Sequence, residues 1–211
     1  MILKNKLICL IVLIKLYYHK FKAITYYRFV FDSFLEGSVI ISPIKLSYLG
    51  TNVGKNVYIG HHARIESVRS HHGNNYNPDI VIEDEVSIEQ RLHLTCADKV
   101  FIGKGTSILF DVMITDIDHD YTEIDQYIKN QKIIVNPTII GEGCFICSGS
   151  KINAGTVLGK QCIVGANSVV RGKFPDYSVI VGAPARIIKR YCFETEKWRE
   201  TDKYGQFINE E

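Results

Sequence analysis

Residues 140–170 read IGEGCFICSGSKINAGTVLGKQCIVGANSVV, a stretch that divides into units of six, each opening on an aliphatic residue: Ile140, Ile146, Ile152, Leu158, Val164 and then Val170. The fifth place of each unit is small or β-compatible: Cys144, Ser150, Thr156, Cys162 and Ser168. Residues six apart fall on different faces of an α-helix, and the many Gly, Val, Ile and Thr oppose helix as well. The period therefore predicts short strands that turn every six residues.

The same phase recurs upstream, as VGKNVY and IGHHAR from Val53, IEDEVS and IEQRLH from Ile82, and IGKGTS and ILFDVM from Ile102. Three such strands per coil form a triangular prism in which each opening aliphatic points inward and stacks on its equivalent one coil away. Gly, Asn and Asp recur beside the aliphatics because the corners turn sharply. The expected fold is an all-β parallel β-helix.

Two stretches break the period. Ser70 to Asp79 is polar and turn-rich, and a longer excursion runs over residues 120–138. Long loops in a compact repeat commonly carry function. The second is entered through ITDIDHDY, residues 114–121, which places Asp116, Asp118 and His119 within four residues. An imidazole with a pKa of about 6.5 suits general base work, and a carboxylate can fix its tautomer. Asp116 is the candidate orienter of His119, and Asp118 reads as a turn residue.

The remaining sequence limits the alternatives. With 211 residues, 46% of them hydrophobic and 23% charged, the chain has the composition of a globular domain, which excludes disorder. A formal charge of +2 gives no argument for nucleic acid. Lys4, Lys6, Lys15, Lys20, Lys22 and Arg28 nonetheless all precede the first acidic residue, Asp32. Among them lies the apolar run Leu7 to Ile14, too short for a bilayer span of about 20 residues. YYHKFKAITYYRF offers no small-residue cleavage site for secretion. The chain is expected in the cytoplasm, with residues 1–46 helical. Residues 1–35 either pack against the protein and its oligomer or rest on the inner face of the membrane. Residues 47–188 are expected to form the prism and residues 189–211 a short helical tail.

Cys144 and Cys147 make a lone C-x-x-C without further ligands, so the six cysteines read as reduced thiols. His61, His62, His71 and His72 read as adjacent pairs on strands, pointing to opposite faces, which disfavours a metal and favours solvent-facing or acceptor-groove positions.

The hexapeptides, the DIDHDY loop entrance and the closing VGAPARIIKRY together resemble the hexapeptide acyltransferases that use acetyl-CoA. Within them the chain is most similar to bacterial O-acetyltransferases of lipopolysaccharide and capsule sugars, related to maltose, galactoside and xenobiotic acetyltransferases. The resemblance covers residues from about 49 to 200. It implies a left-handed coil, a homotrimer with active sites between subunits, acetyl-CoA as co-substrate, a sugar or glycan acceptor and no metal. His119 matches the family's catalytic histidine. Ser148 and Ala166 match positions facing the pantetheine arm, and Arg171, Arg186 and Lys189 positions that meet the CoA phosphates. Phe145 stands where many relatives carry Trp beside the acceptor. Glu89 replaces an acceptor-binding Asn, with Gln90 and Arg91 adjacent, and Tyr121 closes the loop-entrance motif on the acceptor side. Trp198 and Phe193 are expected to cover the end of the solenoid. Two alternatives stay open: N-acetylation of an amino sugar nucleotide, and a non-catalytic β-helix scaffold.

Overall fold

The computed structural model describes residues 2–202 and 204–208, with the side chains of residue 6 and of residue 8 onward. Of the basic and apolar residues expected to act at the N-terminus, the side chains of Lys4 and Leu7 lie outside the described set, as do residues 1, 203 and 209–211.

From Ser33 the chain winds through three sheets of seven, nine and six strands, parallel except for the last two strands of the second, and the inward residues form three ladders. On the first face Val53, Ile82, Ile102, Ile140 and Leu158 are successive partners. On the second, Ile40, Ile59, Ile88, Ile108, Ile146, Val164 and Ile180 follow one another. On the third the order is Leu46, Ile65, Leu94, Ile114, Ile152 and Val170. The opening aliphatics of the hexapeptides are thus the rungs of a left-handed parallel β-helix. Nearly all are fully buried, so the hydrophobic effect acts along one continuous column.

The small fifth-place residues are buried too, and their polar atoms are satisfied within and between coils. Ser150 Oγ donates toward the carbonyls of Cys147 and Gly165, and Thr156 Oγ1 toward those of Asn153 and Val170. At the corner between the second and third faces Gly149 has φ +75°, and an added Cβ would lie 2.2 Å from Asn167 Oδ1. That turn admits only glycine without rearrangement.

The prism starts earlier than residue 47. Ser33–Phe34, Val39–Ile40 and Lys45–Leu46 already pair with Thr51–Val53, Tyr58–Ile59 and Arg64–Ser67, completing a first coil. Its top is closed by Ala23, Tyr27 and Phe31, all buried, with the rings of Tyr27, Phe31 and Phe34 in mutual contact at 5.4–5.6 Å. This is the terminal cap a solenoid requires. The helix Ile2–Lys22 leads away from that cap, and from Ile8 onward its large apolar side chains are exposed.

The C-terminal tail is strand in place of the expected helix. Ser178–Gly182, Ala185–Cys192 and Lys197–Glu200 continue the second face as antiparallel ribbons. Alternating burial over the first four residues of Ala185–Cys192 puts Ala185 and Ile187 under the last coil. Phe193 and Trp198, expected to close the column, instead lie outside it, 67% and 41% exposed.

Candidate functional site

Both breaks in the period leave the prism at the same corner, where the third face returns to the first. The strands Arg64–Ser67, His93–Cys96 and Met113–Thr115 stack on the third face. After the first comes the hairpin Ser70–His71/Asn74–Asn75, after the second a tight corner, and after the third the long excursion. That excursion begins as an antiparallel ribbon, Ile117–His119 paired with Ile133–Val135, so His119 sits on a strand opposite Ile133 and faces solvent.

Asp116 does not orient His119. Its carboxylate is completely buried under the tight corner, where it accepts the backbone N–H groups of Ala97, Asp98 and Lys99 at 2.7–3.1 Å. Three successive amides converging on one anion form a nest that replaces the hydrogen bonds lost at the turn. The Cys96 thiol lies 3.4 Å from the same carboxylate, and burial, then this negative charge, push its pKa up. The short sequence distance between Asp116 and His119 conceals a change of direction between them.

Asp118 makes a two-point ion pair with Arg171, Nη1 to Oδ2 at 2.7 Å and Nη2 to Oδ1 at 2.8 Å. Hydrogen bonding to Arg171 holds the Asp118 carboxyl below its ordinary pKa. Arg171, expected at the CoA phosphates, is thus engaged beside the ribbon, and it also reaches the Ala154 carbonyl at 3.3 Å. Asp120 accepts from Thr122 N and Oγ1 in a local turn, and Tyr121 is 72% exposed.

The remaining candidate residues lie elsewhere on the prism. Glu89, Ser148 and Ala166 occupy the corner between the second and third faces, Ser148 and Ala166 on adjacent coils and Glu89 two coils before Ser148. There Asn167 N donates to Ser148 O at 2.9 Å and Gly149 N to Phe110 O at 3.0 Å, so the turns stack as backbone steps. Glu89 and Ala166 are exposed and Ser148 half-buried. Arg91 is committed to Asp111, with Nε at 2.6 Å from Oδ1. On the second face Phe145 joins Tyr177, Tyr191, Phe193 and Trp198 around a cavity of about 550 Å³. Arg186 and Lys189 project from the strand beyond it, and among the described residues neither forms an ion pair. A single chain therefore assembles two groups on different edges: His119 and Tyr121 at one corner, and Glu89, Phe145, Ser148, Ala166, Arg186 and Lys189 on the second face and its far edge.

Two placements of histidine are not visible in the sequence. His61 and His62 form a corner turn, with His62 at φ 62°, and are not on a strand. His71 lies on the hairpin with its ring 6.2 Å from that of His119, a contact across 48 residues that no local pattern signals. All six cysteines are unpaired. Among the described residues no group of three or more His, Cys, Asp or Glu is placed to hold a metal ion.

Residues 137–172 match the family model described as bacterial transferase hexapeptide (six repeats). WbbJ of Escherichia coli, named as a lipopolysaccharide biosynthesis O-acetyl transferase, is 33% identical over 128 residues, 57% of this chain and 65% of that protein. A Mycobacterium tuberculosis protein named as an acetyltransferase is 33% identical over 138 residues, 65% of this chain and 43% of its own length. The chain thus spans less than two thirds of the curated relatives it matches. In fold alone it resembles a point mutant of AntD, an N-acyltransferase from Bacillus cereus, with a TM-score of 0.61 and 18% identity over 72% of this chain and 80% of AntD. The six-residue ladders and these matches together mark residues 137–172 as bacterial transferase hexapeptide repeats and make the chain similar to the acetyltransferases that carry them.

Proposed function

We propose that this chain is an acetyl-CoA-dependent O-acetyltransferase acting on a sugar hydroxyl in surface polysaccharide synthesis, with His119 as general base. The observation that carries the reading is the placement of His119: an exposed imidazole on a ribbon that leaves the prism at the corner where the coils are interrupted twice. An alcohol is a weak nucleophile at neutral pH, so attack on a thioester requires removal of its proton. The imidazole of His119 takes that proton as the oxygen attacks the acetyl carbonyl and returns it to the departing thiolate of CoA.

A homotrimer fits the division of candidate residues between two edges. Bringing the ribbon of one prism beside the second face of a neighbour would unite His119 and Tyr121 with the neighbour's backbone steps at Ser148 and Ala166, which face the pantetheine arm. Arg186 and Lys189, which form no ion pair among the described residues, then meet the CoA phosphates. Phe145 supplies an aromatic wall and Glu89 an acceptor contact. Asp116 serves the fold and Arg171 holds the ribbon, so neither enters the chemistry.

The exposed apolar and basic helix Ile2–Lys22 favours a station at the inner face of the cell membrane, as a peripheral contact. None of the described helices is long and apolar enough to cross a membrane. Mass spectrometry of the surface glycan from cells with and without the gene tests the reading. A gain of one acetyl group per repeat, removed by mild alkali, is the expected ester. An alkali-stable acetyl would instead mark the N-acetyl alternative, and no difference in acetylation would count against a glycan acceptor.

A further inference from the structure

The two corner excursions are two coils apart along the third face, yet they touch. His71 Nε2 lies 3.3 Å from the carbonyl oxygen of Gln131. A carbonyl only accepts, so Nε2 carries the proton. Gln131 in turn is the internal staple of the long loop. It is buried, its Oε1 accepts from Glu123 N at 3.1 Å, and its Nε2 donates to Glu123 O at 2.9 Å and Gln126 O at 3.0 Å. Residues 121–130 are otherwise exposed along their whole length, so Gln131 concentrates the ordering of that segment at one side chain. The loop base is closed separately, by Asp120 N to Lys132 O at 3.0 Å. The hairpin is itself tied at its foot by Tyr76 N to Arg69 O at 2.9 Å. The His71 ring, half-buried, stands between His72 at 4.6 Å and His119 at 6.2 Å.

We propose that His71 is a positioning residue: through its Nε2–H bond to the Gln131 carbonyl it latches the 120–131 loop against the hairpin and so fixes the wall beside His119. The proposal rests on the reading of His119 as the base, because the consequence of the latch is the placement of the loop beside that imidazole. His71 itself transfers no proton. A loop that closes a site over a reacting group must be held in one arrangement, and a displacement of about 1 Å can cost on the order of 100-fold in rate. The segment supplies no large apolar anchor into the core to do this, since Tyr121, Ile124 and Tyr127 are 72–84% exposed. One polar contact from a neighbouring excursion therefore has leverage that a packed loop would not give it.

Three full-length variants separate the possibilities. His71→Gln keeps an N–H donor near the position of Nε2, His71→Phe keeps a ring without a donor, and His71→Ala removes both. Hydrogen exchange of amides 120–134 should accelerate about fivefold in the Phe and Ala variants, the factor of one ordinary hydrogen bond, and stay near wild type in the Gln variant. Acetyl transfer to alkali-deacetylated surface glycan should lose about 10- to 100-fold in kcat in the Phe and Ala variants, with the KM for acetyl-CoA unchanged, and recover in the Gln variant. Wild-type exchange in His71→Ala would overturn the latch. So would full activity in His71→Phe, which would make packing the whole role, or failure of His71→Gln to recover, which would make the imidazole itself the reactive group. If the wild-type protein transfers no acetyl group while the exchange pattern holds, the latch stands and the catalytic reading fails.

Discussion

Arg171 and Asp118 are 53 residues apart in sequence and share two hydrogen bonds across the junction between ribbon and prism. The guanidinium fork stands on the last coil and the carboxylate on the strand that carries His119. Neighbouring residues on a strand point to opposite sides, so the pair secures the ribbon from behind while His119 faces outward. Because Asp118 and Arg171 retain 33% and 54% of their side-chain exposure, solvent screening keeps the coupling modest. A double-mutant cycle with Asp118→Ala and Arg171→Ala should give about 0.2–1 kcal/mol, less at high salt. The folded carboxyl titrates below its unfolded value, so this stability is present above the unfolded pKa of about 3.9 and lost as pH falls through the folded pKa. The stability difference between wild type and Asp118→Asn should be flat from about pH 5 to 8 and shrink below about pH 4.

Asp116→Ala should behave as a folding mutant. It strips the acceptor from three converging amides, that of Ala97 fully buried, at an expected cost of about 2–4 kcal/mol in urea unfolding. His119→Ala, at an exposed position, should cost less than about 0.5 kcal/mol. Equal stability of the two variants would contradict the division between a structural carboxylate and a functional imidazole.

Replacing Arg186 or Lys189 with Ala should raise the KM for acetyl-CoA more than it lowers kcat, since phosphate contacts remote from the thioester hold ground and transition states alike. The effect should diminish as ionic strength rises. Unchanged KM in both variants would assign these cations elsewhere.

The helix Ile2–Lys22 should bind vesicles that contain anionic lipid and ignore neutral ones. Each Lys or Arg near such a surface contributes about 1 kcal/mol, and the copies in the proposed trimer would reinforce one another. Deleting residues 2–22 should abolish co-sedimentation and leave the oligomeric mass unchanged. Loss of the oligomer instead would show that the apolar side chains pack between subunits.

The column of the prism is legible in the sequence because every coil repeats the same demand: an inward aliphatic each six residues, with a turn beside it. Even the first coil carries it, but Phe34 and Leu46 break the spelling enough to hide its start at Ser33. The C-terminal residues 189–211 read as a short helical tail, although ARIIKRYC alternates buried and exposed positions at its start, a strand pattern. At the candidate site the sequence locates His119 but not its surroundings. Asp116 and His119 are three residues apart and face different environments because the chain leaves the prism between them. Arg171, His71 and Gln131 reach the same corner through coil stacking and loop contacts, which no local spacing encodes. The separation of the candidate residues onto two edges likewise emerges only when the faces are assigned.

Transfer of labelled acetyl from acetyl-CoA to alkali-deacetylated surface glycan, compared between wild type and His119→Ala, bears most directly on the central claim. Removing a general base should lower kcat by about 100-fold or more, with the fold and acetyl-CoA binding retained. Turnover by His119→Ala within a few fold of wild type would contradict it.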